Sequence, residues 1–91
     1  MIERQITNIK KDSKGRTRLI CNPDEWWSPK SVKEVVYEIE ESFYRYYVIV
    51  NNLKVEVKVI ADSENKYLCT DPDKTTQNNL DELPECFPGN L

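Results

Sequence analysis

Two neighbouring stretches of the chain carry apolar residues at every second position. Tyr44, Tyr46, Val48 and Val50 are interleaved with Arg45, Tyr47 and Ile49; after Asn51-Asn52, Leu53, Val55, Val57 and Val59 are interleaved with Lys54, Glu56 and Lys58. A period of two is that of a strand with one buried face. A two-residue loop at Asn51-Asn52 pairs Val50 with Leu53, Val48 with Val55, Tyr46 with Val57 and Tyr44 with Val59, so all eight share one face. Asparagine tolerates the left-handed backbone that a type I′ turn needs at both central positions.

Just upstream the period changes. Val32, Val35, Val36, Ile39 and Phe43 form a helical stripe, with Lys33, Glu34, Glu40 and Glu41 off it. The helix has two candidate starts: Ser28 as N-cap with Pro29 following, or Ser31 as N-cap with Glu34 completing a capping box. Downstream, turn residues Asp62-Ser63-Glu64-Asn65 lead to a third strand, Lys66 to Thr70, completing a three-stranded meander. Leu80 and Leu83 suit one helical turn, capped by Asn78 or Asn79 and ended by Pro84.

The N-terminal part is less regular. Ile2, Ile6 and Ile9 mark a strand reaching Lys10, Asp12-Ser13-Lys14-Gly15 supplies a turn, and Arg16 to Cys21 returns. A four-residue loop pairs Lys11 with Arg16 and Ile6 with Cys21, but apolar and charged side chains then fall on both faces, so the buried face stays open. Asn22 to Pro29 is a proline-punctuated loop holding Trp26 and Trp27. The expected fold is α+β: an N-terminal β-hairpin, one amphipathic helix and the meander, with the helix packed on one face of an antiparallel sheet. At 91 residues this is one domain, 1–91, with 87–91 expected to fray.

Composition narrows the chemistry. The chain has no histidine, which excludes Ser-His and Cys-His catalysis. Gly15 and Gly89 are its two glycines, too few for a phosphate-cradling loop. Cys21, Cys69 and Cys86 are odd in number and lack C-x-x-C spacing, which argues for thiols, with a Cys21–Cys86 bridge as the minor alternative. No metal site and no cofactor is expected. The best enzymatic candidates, Cys69 or Cys21 as nucleophile or a carboxylate pair from Asp71, Asp73, Asp81 and Glu82, read better as buried thiols and solvated acids. No stretch matches a membrane span or a signal peptide, so a cytoplasmic protein without membrane contact is expected.

Charge is unevenly spread. The first 18 residues hold Arg4, Lys10, Lys11, Lys14, Arg16 and Arg18 against Glu3 and Asp12, whereas the C-terminal third is acidic. Either the acidic tail folds over the basic hairpin, or Lys10, Lys11, Lys14, Arg16 and Arg18 meet phosphates or an acidic partner. The outer face of the central hairpin, with Arg45, Tyr47, Lys54 and Lys58, mixes aromatic and basic groups, but Glu56 and the overall net charge of −3 count against nucleic acid. Adjacent tryptophans in a short loop cannot both enter one core. One is expected to plug the open end of the helix-sheet layer while the other lies flat on the surface; alternatively the exposed ring of Trp26 or Trp27 is an anchor for a partner.

Several blocks in order resemble a family of small bacterial proteins catalogued as a domain of unknown function: Arg4-Gln5-Ile6-Thr7 with Ile9, Leu19 to Pro23, Trp26-Trp27-Ser28-Pro29, Tyr46-Tyr47-Val48, Lys66-Tyr67-Leu68 with Thr70, Asn78-Asn79-Leu80, and Leu83-Pro84 with Cys86. The resemblance covers nearly the whole chain. It implies a single domain and a bacterial or phage setting, and brings no activity, cofactor or site. Its turns often carry glycine where this chain has Asn51-Asn52 and Glu64-Asn65. The expected role is a protein-interaction or self-association module, with a homodimer or protein partner. Nucleic-acid association through the basic hairpin is the alternative, and an enzyme comes last.

Overall fold

The computed structural model describes residues 2–61, 65–70 and 79–86. In chain order they form β1 (Ile2–Gln5), β2 (Asn8–Lys11), β3 (Thr17–Cys21), β4 (Lys30–Ser31), α1 (Val32–Glu40), β5 (Tyr44–Val50), β6 (Leu53–Ala61), β7 (Lys66–Thr70) and a 3₁₀ turn at Asn79–Glu82. One sheet has the order β1-β5-β6-β7 and a second the order β2-β3-β4, and α1 packs against strands of both. The expected α+β class, meander and helix packing are present.

The central hairpin has the anticipated register, with Val50 opposite Leu53 and Val48 opposite Val55. Asn51 and Asn52 take φ of 51° and 66°, the pair of left-handed residues that a type I′ turn requires. Tyr46, Val48, Val55 and Val57 are buried, Tyr44, Val50 and Val59 half-buried, and Leu53, at the turn, is exposed. They share the core with Ile6, Ile9, Ile20, Trp27, Val35, Val36, Leu68 and Leu80.

The N-terminal hairpin differs from expectation. β1 does not pair with β3 but lies parallel to β5, Ile2 opposite Tyr44 and Gln5 opposite Tyr47, so the meander gains a fourth strand and the sheet is mixed. The chain changes sheets at one peptide unit: Ile6 N–H still donates to Tyr47 O at 2.8 Å, while Thr7 N–H donates to Cys21 O at 2.9 Å. The cause lies in the spacing of the isoleucines. Ile6 and Ile9 are both buried yet three residues apart, and a pleat of period two puts such residues on opposite faces. The jog at Thr7 resets the phase. The β2–β3 register then becomes Asn8 with Cys21 and Ile9 with Ile20, with a bulge between Lys10 and Lys11, in place of Lys11 with Arg16. β4 adds a third strand, with Ile20 opposite Lys30.

Of the two helix starts, Ser31 is the N-cap: its hydroxyl accepts Glu34 N–H at 3.1 Å and Glu34 Oε1 accepts Ser31 N–H at 3.3 Å. Pro29 lies before the helix, after a cis peptide bond. The helix ends at Glu40 rather than reaching Phe43. Ser42 adopts φ 59° and donates to Ile39 O, Phe43 N–H donates to Glu38 O, and the Phe43 ring meets Tyr37 at 5.8 Å. This is a Schellman end with its accompanying apolar contact, which explains why Phe43 matched the helical stripe while lying outside the helix.

The thiol reading of the cysteines is corrected. Cys21 and Cys86 form a disulfide across 65 residues, and Cys69 is buried outside it. Cysteine usage therefore no longer argues for a reducing compartment. The bridge fastens the C-terminal segment beside β2, where Ile9 N–H donates to Pro84 O at 3.0 Å and Cys86 N–H to Ile9 O at 2.8 Å. Leu80, on the 3₁₀ turn, is buried and Leu83 is half-buried, as their spacing suggested. Residues 71–78, with Asp71 and Asp73, the expected turn at 62–64 and the tail 87–91 lie outside the described residues.

Closing a loop of this length removes roughly 4 kcal/mol of conformational freedom from the unfolded chain. Urea unfolding with and without reductant should show a loss of that order on reduction. Coincident midpoints would show that the bridge constrains nothing.

Candidate functional site

The first position that draws attention is Arg4. Counting back from Ile6 with a period of two turns it inward, and it is only 5% exposed. It therefore leaves the set of surface bases to which its position in sequence assigned it. Arg4 Nη1 donates to Tyr46 Oη at 3.0 Å, Tyr46 Oη donates to Glu38 Oε1 at 2.5 Å, and Lys30 Nζ donates to Glu38 Oε2 at 2.6 Å. Arg4 Nη1 is also 3.8 Å from Glu38 Oε1. One carboxylate on α1 thus gathers side chains from β1, β4 and β5.

Aromatic rings wall the guanidinium. Its carbon is 3.5 Å from the Tyr44 ring centre, 5.2 Å from Trp27, 5.6 Å from Trp26 and 5.9 Å from Tyr46, within cation–π range. Trp27 meets Tyr46 edge to face at 5.8 Å. The two tryptophans divide as anticipated: Trp27 is buried and Trp26 is 87% exposed.

The loop holding them is tied at its base. Asn22 Nδ2 donates to Gln5 O at 3.0 Å, Asn22 Oδ1 accepts Asp24 N–H at 3.1 Å, and Ser28 Oγ accepts Asn22 N–H at 2.8 Å. Trp27 Nε1 donates to Glu25 Oε2 at 3.2 Å. Asn22 is the residue that the turn demands, because its amide both closes an Asx turn and satisfies a carbonyl of β1.

Burial holds the Tyr46 hydroxyl above the ordinary tyrosine range, and its hydrogen bond to Glu38 pushes the same way, while Arg4 opposes both. The hydroxyl remains a donor to Glu38 through neutral pH.

Elsewhere, Arg45, Lys54 and Lys58 are exposed on the outer face of the sheet and Tyr47 is half-buried there. A shallow cleft of about 220 Å³ is lined by Glu3, Arg45, Tyr46, Tyr47, Lys54 and Glu56. Lys54 is paired with Glu3, whose carboxyl it holds below the usual range, and lies 4.7 Å from the Tyr47 ring centre. This face mixes three bases, Arg45, Lys54 and Lys58, with two acids, Glu3 and Glu56.

At the N-terminal turn Lys10, Lys11, Lys14, Arg16 and Arg18 are all exposed. Asp12 organises them: Oδ1 accepts the N–H groups of Lys14 and Arg16 at 2.8 and 3.0 Å, and Oδ2 accepts Arg18 Nε–H at 2.8 Å. Those bonds, the Arg16 backbone first and the Arg18 side chain next, pull its pKa down to about 2. The turn and the tryptophan loop sit at opposite ends of β3, about 13 Å apart along a strand rising about 3.3 Å per residue. The structure does not join the two groups of candidates.

Sequence reading missed Arg4, Lys30, Glu38, Tyr44 and Tyr46 as a group. Two signals pointed to it: a tyrosine on a core face needs a partner for its hydroxyl, and Glu38 flanks the apolar stripe of the helix that packs there.

A family model described as a protein of unknown function (DUF3892) matches residues 5–84. The chain belongs to that family. No curated protein and no solved structure matches the chain. Among the described residues, no helix is long and apolar enough to cross a membrane, and no cluster of three or more Cys, Asp or Glu is placed to hold a metal ion.

Because the folded-state pKa of Tyr46 lies above the unfolded value, its contribution to stability is fully present below about pH 10 and is lost as pH rises through the folded value. In an alkaline titration followed by tyrosinate absorbance, Tyr46 should ionise only in a late step coupled to unfolding. Tyr46→Phe should remove that step, and its persistence in the variant would show that another tyrosine supplies it.

Proposed function

We propose that this DUF3892 chain is a small protein-binding module, without catalytic activity, whose contact surface is centred on Trp26. The carrying observation is the pairing of an 87% exposed tryptophan with a buried neighbour in a loop fastened to two strands. A large apolar ring exposed on a loop whose base is fastened gains on association at a reduced ordering cost for the loop, and tryptophan is among the side chains most enriched at interface hot spots. Its partner is another protein or a second copy of this chain.

The nucleic-acid reading has weaker support. Its bases at the N-terminal turn include Arg18, engaged by Asp12, and exclude Arg4, which is buried. The outer sheet face interleaves Glu3 and Glu56 with Arg45, Lys54 and Lys58, which reduces its attraction for phosphate.

The test compares the native protein, Trp26→Ala and a Lys10/Lys14/Arg16→Ala triple variant in sedimentation and in affinity capture. Trp26→Ala should keep the native circular dichroism and lose partner or self-association by about 30-fold, the scale of one hot spot. Unchanged association in Trp26→Ala would overturn the assignment. Salt-sensitive capture of nucleic acid, lost only in the triple variant, would favour the alternative.

A further inference from the structure

The tryptophan loop covers a charge that the fold leaves partly unanswered. Arg4 and Lys30 bring two positive charges and Glu38 one negative, and both Glu38 oxygens are engaged by Tyr46 and Lys30. Arg4 reaches that carboxylate only at 3.8 Å, beyond hydrogen-bond distance. The other acids nearby do not reach Arg4: Glu34 pairs with Lys30 at 3.9 Å from an exposed position, and Glu25 is exposed with one oxygen accepting from Trp27 Nε1.

Arg4 also keeps donors in hand. Its one hydrogen bond leaves from Nη1, so Nε–H and the Nη2 hydrogens have no partner among the described residues. No described side-chain nitrogen is both fully buried and unpartnered, so that edge of the guanidinium keeps a small contact with solvent, beside the rings of Trp26 and Tyr44. A nearly buried arginine with an open fork beside a bare tryptophan is poorly explained by packing alone, since a buried charge is stabilised only when it is paired and hydrogen-bonded.

We propose that the open N–H edge of Arg4 receives the carboxylate side chain of a Glu or Asp on a partner protein that packs against Trp26. This rests on the binding-module reading and adds the chemistry of its partner. A carboxylate is planar, matches the guanidinium fork with two parallel bonds, and continues the plane that stacks on Tyr44. A phosphate monoester brings nearly two negative charges where the cluster has one to answer. Chain-end carboxylates are captured by convergent backbone N–H groups, whereas the hydrogen bonds joining Arg4, Tyr46, Glu38 and Lys30 run between side chains. A partner acid arriving beside those rings takes up the free edge, while the residues around it cover Trp26 and exclude water from the ion pair.

The experiment follows the Arg4 Nε–H resonance by NMR in the full chain, titrated with N-acetyl-glutamic acid α-amide, N-acetyl-glycine, inorganic phosphate and, at matched ionic strength, chloride. Expected is a saturable shift with the glutamate amide at millimolar concentration, weaker by about tenfold with N-acetyl-glycine and phosphate and absent with chloride. Arg4→Lys, which keeps the charge and loses the fork, should abolish the effect, read in native and variant alike from the indole N–H resonance of Trp27, whose ring lies 5.2 Å from the native guanidinium carbon. Trp26→Ala should preserve the resonance shift, because the small probe lacks the surface that packs on the ring. No shift, a shift equal to that with chloride, or tighter binding of phosphate or of N-acetyl-glycine would overturn the proposal. Loss of partner binding in Trp26→Ala combined with no glutamate shift would leave the module and remove its carboxylate specificity.

Discussion

The carboxylate of Glu38, 9% exposed on the inner flank of α1, accepts from Tyr46 at 2.5 Å and from Lys30 at 2.6 Å. Much of the architecture depends on this arrangement. Tyr46 is fully buried in the middle of β5, and Lys30 begins the short β4 that completes the second sheet. Arg4, on β1, enters the same network through the Tyr46 hydroxyl. A single acid therefore ties the helix to both sheets, in a region where an unpaired carboxylate would cost several kcal/mol. The apolar core gives the chain its collapse, and the polar chain fixes which helix face and which strands meet.

The connection through Glu38 adds to a core that both sheets share, Ile9 and Ile20 of one packing in the same cluster as Tyr46 and Val48 of the other. The sheets share a continuous segment only at Ile6 and Thr7, where the backbone donates first to β5 and then to β3. The Cys21–Cys86 bridge acts beside that crossing, at the last residue of β3, and the Pro84–Cys86 segment it fastens lies along the edge of β2. Next to these ties sits the loop from Asn22 to Pro29, secured by the Asn22 side chain to β1. The result is a rigid base beneath an exposed tryptophan, the form expected of a residue kept for contact rather than for packing.

What could be read from the sequence was governed by distance along the chain. The β5–β6 hairpin, its Asn51-Asn52 turn and the Ser31–Glu34 capping box depend on residues within nine positions of one another, and their chemistry is local. The division of labour between Trp26 and Trp27 followed from adjacency alone. The parallel pairing of β1 with β5 joins residues 42 apart, as in Arg4 with Tyr46, and nothing local marks it. The N-terminal segment was read as one strand with its buried face open, and the break at Thr7 that lets both Ile6 and Ile9 enter the core was not marked. Arg4 was misassigned because a charged residue in a basic segment reads as surface. Its burial depends on a carboxylate 34 residues away, in Glu38. The basic turn and the outer face of β5 and β6 were legible as exposed, but the ion pairs of Asp12 and Glu3 that moderate them depend on folded geometry.

The shared carboxylate is tested most directly by a double-mutant cycle in urea unfolding, using Tyr46→Phe, Glu38→Gln and the double variant. A coupling of about 1–3 kcal/mol between the two positions is expected if a buried, charge-assisted hydrogen bond links helix to sheet. Additive losses, agreeing within about 0.5 kcal/mol, would contradict it and leave the fold resting on apolar packing and the disulfide alone.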